Sequence, residues 1–178
     1  MHEIRVNRAP VLTLWGAVVA ERLGHGRAAA LTLGGAVAGL NAQSKGRRLG
    51  IVEPRAERPA ARKKPAAARG ARRRERLVPL LGRTVPAVDT PRGLRAVEKG
   101  RPTTPTGVER YLRGKFGEAL PEVRAAMEAL AAAYEPDALE AKAFALYERF
   151  RPAIPAGTRG WGAKGVLDLD LVRALAER

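Results

Sequence analysis

With 33 lysines and arginines against 18 acidic residues, this 178-residue chain carries a formal net charge of +15. It has no cysteine, which excludes disulfides, thiolate catalysis and Cys-built zinc sites. Its histidines, His2 and His25, are too few for a histidine-built metal centre, so neither a metal nor a cofactor is expected.

The length suits one ordinary domain or two small ones. Hydrophobic residues reach 46% but aromatics only 4%. Much of the apolar content is alanine, which packs helices closely and buries little surface per residue. An all-α fold is therefore expected. A chain this basic generally meets a polyanion, most often nucleic acid. Arginine in excess of lysine and abundant alanine also arise from high-GC coding. The two origins differ in the folded molecule, because binding gathers cations without carboxylate partners and composition alone scatters them.

Arg5 and Arg8 precede the first apolar segment, in which Val11, Trp15, Val18 and Val19 recur at helical spacing. Pro10 suits a first helical turn, and Gly24 suits a helix end that needs the left-handed conformation. Cations followed by the run Val11 to Ala20 imitate a secretory leader. Thr13 interrupts that run and Glu21 and Arg22 follow at once, so a cytoplasmic protein is expected. His25 sits in a turn between Gly24 and Gly26 and reads as an exposed residue there.

The second segment runs from Arg27 to about Ser44, with Leu33, Val37 and Leu40 on one side. Its longest apolar stretch, Ala28 to Leu40, falls short of the ~18 residues of a membrane span, so no membrane partner is expected. Gly34, Gly35 and Gly39 each cost about 1 kcal/mol in a helix interior. Close approach of another helix along the Gly35/Gly39 side is the expected offset, within the hairpin or across a homodimer.

Asn41, Gln43, Ser44, Lys45, Arg47 and Arg48 then offer the donors that reach phosphates and base edges. Residues 1–51 are thus a helical hairpin of helix–turn–helix type and a candidate nucleic-acid-binding or dimerisation unit. A solvated helix end also carries cations, which complement its dipole.

Residues 52–76 lose all apolar periodicity and become rich in proline, alanine and arginine, which reads as a flexible basic linker. Most of the net charge lies at or before residue 76. Arg62, Lys63 and Lys64, and then Arg72, Arg73 and Arg74, are runs that would neutralise phosphates and release counterions.

Residues 77–178 are expected to form a helical bundle. Leu77 to Asp89 reads as an apolar docking stretch broken by Pro79 and Pro86, and Thr90 to Glu98 as a short helix. Lys99-Gly100-Arg101-Pro102 resembles the core of a minor-groove AT-hook, although a plain turn explains it too. Thr106 to Glu109 reads as a capping box ahead of a helix that ends at Gly117. Val123, Met127, Leu130 and Tyr134 mark the next helix. Leu139, Phe144, Leu146, Tyr147 and Phe150 supply an aromatic cluster on the one after it.

Near the end, Gly160, Gly162 and Gly165 form G-x-G-x-x-G, but proline-rich residues precede it and no ribose-binding acid follows, against a dinucleotide site. Arg159 and Lys164 could still hold a phosphate while Trp161 stacks on a base. Asp168 is expected to cap the last helix.

The blocks IRVNRAPVLTLW, AVAGLNAQSKG and ERFRPAIPAGTRGWGAKG resemble a family of small uncharacterised bacterial proteins. The resemblance implies a bacterial, cytoplasmic origin and no activity or site residues. The opening hairpin is also loosely similar to helix–turn–helix and histone-type pairs, an analogy of fold and not of motif. The expected function is DNA binding, as a transcriptional regulator or nucleoid-associated protein, and not catalysis. RNA or ribosome binding is the alternative, ahead of an enzyme acting on a phosphorylated small molecule.

Overall fold

A computed structural model describes residues 3–48, 75–154 and 164–177. Strand β1 (Glu3–Asn7) leads into helix α1 (Arg8–Arg22) and helix α2 (Arg27–Arg48). Strands β2 (Glu75–Leu80), β3 (Arg83–Thr90), β4 (Gly93–Glu98) and β5 (Arg101–Pro102) follow. Then come α3 (Pro105–Phe116), α4 (Leu120–Ala132), α5 (Pro136–Phe150), β6 (Lys164–Asp168) and α6 (Leu169–Ala176).

The expectation of an all-α chain fails. β2 to β5 form an antiparallel four-stranded meander, and β1 pairs with β6 at the other end of the chain. The fold is mixed α and β. The stretch Leu77 to Asp89 is most of a hairpin, and Thr90 to Glu98, expected as a helix, is largely β4. Glu75 and Arg76, assigned to the linker, open β2.

The prolines that break this apolar stretch sit where no ladder bond is lost. Pro79 lies in the edge strand β2. Pro86 lies just beyond the β3–β4 ladder, which runs from Thr90↔Gly93 to Ala87↔Ala96. Two-residue turns close the hairpins at Leu81-Gly82 and Lys99-Gly100. All four residues have positive φ (50°, 75°, 53° and 79°), as a type I′ turn requires. Lys99-Gly100-Arg101-Pro102 is therefore a turn entering β5 and not an extended hook.

Helix α1 lies at the centre, with every residue from Pro10 to Ala20 buried. A helix apolar all round needs cover on all sides. That cover comes from α2, α4 and α5, while α2 turns another face to β3 and β4. Trp15 carries the contact with α5. Its ring meets Phe150 edge-on at 5.3 Å, and its Nε1 donates to the Ala143 carbonyl at 2.9 Å. Thr32, fully buried in α2, fastens the sheet, since its hydroxyl accepts from Ala96 N at 3.0 Å and donates to Ala29 O at 2.8 Å. One hydrophobic cluster runs from Val6 to Leu175, so the hairpin docks on the C-terminal part of the chain.

The close helix approach exists but is not along Gly35 and Gly39. A Cβ on Gly34 would lie 2.3 Å from Thr13 O and 2.6 Å from Ala17 N, whereas Gly35 meets the Val108 side chain and Gly39 meets Glu98. Gly24 ends α1 as expected, at φ 110°. His25 N bonds Ala20 O and Gly24 N bonds Glu21 O, both at 3.0 Å, which is the Schellman pairing. His25 is half-buried in that turn, and burial lowers its pKa. The cap of α3 is Thr104, two residues earlier than Thr106, with its hydroxyl accepting from Gly107 N at 3.3 Å. Asp168 caps α6 as expected, accepting from Asp170 N and Leu171 N.

Candidate nucleic-acid interface

The Gly16–Gly34 crossing fixes which side chains share an end of the hairpin. The two helices are antiparallel and cross at those residues, so the start of α1 and the last turns of α2 lie at the same end. Arg5 and Arg8 stand on one side of that end and Asn41 on the other. Arg5 is exposed on β1 opposite Val166, and Lys164 is exposed on β6 opposite Asn7. Partners in register and residues two apart share a sheet face, so Arg5, Asn7 and Lys164 line the outward side of the β1–β6 ribbon.

Arg8 is only partly exposed. Its Nε donates to Pro152 O at 2.9 Å, and the Tyr147 hydroxyl lies 3.5 Å from its carbonyl oxygen. Burial and then the neighbouring Arg151 guanidinium lower its pKa, while Tyr147 opposes the shift. It remains a cation at neutral pH. Helix α1 also has no acid in its first turn, although acids are favoured there.

Across the end of the hairpin, Asn41 Oδ1 accepts from Arg83 at 3.1 Å. Arg83 follows the β2–β3 turn, and at that same end of the sheet Lys99 lies in the β4–β5 turn and Arg101 follows it. Gly39, two residues earlier in α2, packs against Glu98. Arg83 was missed in the sequence, and Lys99 and Arg101 were read only as a possible minor-groove hook or turn, because their placement comes from hairpins that join residues far apart in the chain.

Gln43, Ser44, Lys45, Arg47 and Arg48 continue α2, with side chains outside the described set. Arg62, Lys63, Lys64, Arg72, Arg73, Arg74, Arg159 and Trp161 lie outside the described residues.

Some of the described cations are neutralised, although Arg110, Lys115, Lys142 and Arg149 on the C-terminal helices take part in no ion pair among the described residues. Arg124 pairs with Glu21 and reaches Glu128 at 3.4 Å, Arg173 pairs with Glu122 at 2.9 Å, and Arg113 pairs with Glu109 at 2.8 Å. By contrast, no ion pair among the described residues involves Arg5, Arg8, Arg83, Lys99, Arg101, Arg151 or Lys164. Elsewhere, an open cleft of about 280 Å³ lies between the starts of α2 and α3. Its ionic groups, Arg27 and Glu109, stand 3.9 Å apart.

Among the described residues, no helix is long and apolar enough to cross a membrane. Neither a family model, nor a curated protein, nor a solved structure matches the chain.

Proposed function

We propose that this chain is a nucleic-acid-binding protein with a preference for duplex DNA, acting in the cytoplasm as a regulator or a packing protein. The observation that carries the reading is the placing of Arg5, Arg8, Arg83, Lys99, Arg101 and Lys164 about the open end of the hairpin and the turns beside it, with no ion pair to any of them among the described residues. Cations gathered on a rigid frame suit a polyanion, since each phosphate neutralised releases counterions. The cation runs of Arg62 to Arg74 follow α2 in the chain and would extend the same contact along the backbone. Arg83, Lys99 and Arg101 sit beside hairpin turns that hold them in place.

The test is a mobility shift with the full chain and a short duplex. Retardation at micromolar protein and low salt, weakening steeply as salt rises, is expected. No retardation at low salt overturns the reading. Competition with structured RNA separates the preference for DNA from the alternative of an RNA-binding protein.

A further inference from the structure

We infer that the outer edge of β2 is a self-association surface, on which a second copy of this chain pairs antiparallel about Leu77. The inference does not rest on the nucleic-acid reading.

The two-residue turn at Leu81-Gly82 fixes which way the backbone groups of β2 point. In a hairpin of that kind the flanking pair, Leu80 and Arg83, is hydrogen-bonded. Bonded and non-bonded pairs alternate along an antiparallel ladder, so Val78↔Val85 and Arg76↔Ala87 are bonded too. Glu75, Leu77 and Pro79 therefore turn their backbone groups away from β3, to an edge that no strand occupies among the described residues. Their side chains share the face opposite Val78 and Leu80, which are buried. On that face Leu77 is 67% exposed, the most open large apolar side chain among the described residues.

An unpaired edge is a template for another strand, and here its chemistry selects a copy of itself. With a two-fold axis at Leu77, each Leu77 N–H donates to the other Leu77 carbonyl, and each Glu75 N–H to the Pro79 carbonyl across the axis. Four bonds form, and none calls on Pro79 for the N–H it lacks. The two Leu77 side chains then meet across the axis and exclude the water each faces alone. Other registers are poorer. An axis at Glu75 or Arg76 sets like charges directly opposite. Within β2, an axis at Val78 keeps only the bonds from Leu77 N–H to Pro79 O, and an axis at Pro79 sets two prolines together without a donor. Charge favours the same partner. Arg76 is held by Asp89 at 2.8 Å, so β2 offers a polyanion no unpaired cation. In a chain of net charge +15, such an edge is where two copies repel each other least.

The experiment uses the full chain, free of nucleic acid, in salt that screens self-repulsion. Sedimentation equilibrium at tens of micromolar protein should give twice the 19.1 kDa chain mass. Leu77→Lys, checked for folding by circular dichroism, should weaken dimerisation by roughly a hundredfold. The chain holds no cysteine, so a single introduced thiol reports its own neighbour. A bonded antiparallel pair holds Cα atoms about 5.5 Å apart, within disulfide range. Leu77→Cys should therefore oxidise to a covalent dimer, whereas Arg110→Cys, exposed on α3, should not. If Leu77→Lys fails to fold, the two thiols still decide. A wild type that stays monomeric at these concentrations overturns the inference. So does a dimer that Leu77→Lys leaves intact, or an equal yield of covalent dimer from both thiols.

Discussion

Gly16 of α1 faces Gly34 of α2 so closely that a Cβ on Gly16 would lie 3.0 Å from the Gly34 Cα. At Gly34 the obstacles are backbone atoms, Thr13 O at 2.3 Å and Ala17 N at 2.6 Å, and neither can rotate aside. Gly34→Ala must therefore force the helices apart, at a cost of about 2–3 kcal/mol or more. Gly35→Ala meets only the Val108 side chain at 3.3 Å. There the helix-propensity gain of about 1 kcal/mol offsets the crowding, and stability should change little. Urea titration of the two variants separates them.

Trp15 joins the hairpin to α5 through one hydrogen bond and one ring contact. Trp15→Phe keeps an aromatic ring but removes the donor to Ala143 O and leaves a small void. A loss of about 2–3 kcal/mol is expected, read as a lower urea midpoint.

The hairpin turns predict opposite signs for the same kind of change. Lys99 and Leu81 both hold positive φ without being glycine, a conformation that asparagine adopts more readily. Lys99 is exposed, so Lys99→Asn should stabilise by up to about 1 kcal/mol. Leu81 is 2% exposed. Leu81→Asn should destabilise by about 2–3 kcal/mol despite the better turn, because core burial outweighs backbone strain. Thermal melts of both variants check the pair.

Alkaline stability should depend on Tyr147. Burial, partly opposed by Arg151 and Arg8, raises its pKa to about 12, against about 10 in the unfolded chain. Between those values the native state retains a proton that the unfolded state has lost. The contribution is full below pH 10 and disappears as pH rises toward 12. Ultraviolet titration should find a tyrosine ionising near pH 12 that is missing in Tyr147→Phe.

Asp168 should account for most of the start of α6. Asp168→Ala leaves Asp170 N and Leu171 N without their cap and should cost about 1 kcal/mol, while Asp168→Asn retains most of it. Denaturant midpoints distinguish the two.

The helices were legible because their signals are local. Apolar residues at helical spacing, Gly24 and Gly117 at helix ends, and Asp168 ahead of α6 each act within a turn or two of chain. The strands were not. Pro79 and Pro86 argue against a sheet until the ladder is known, since only the ladder tells which N–H groups it needs. β1 (EIRVN) alternates, but over only five residues, and β6 (KGVLD) does not alternate, so neither stands out as a strand until the two meet. The same holds for the candidate interface. Sequence alone established that charge is excessive, concentrated toward the front of the chain and short of carboxylates. Which cations are neutralised, and that Arg8 comes to bond the Pro152 carbonyl, was decided by packing. Electrostatic pairing depends on distance in space, and residues 8 and 152 become neighbours only once α5 has closed over Trp15.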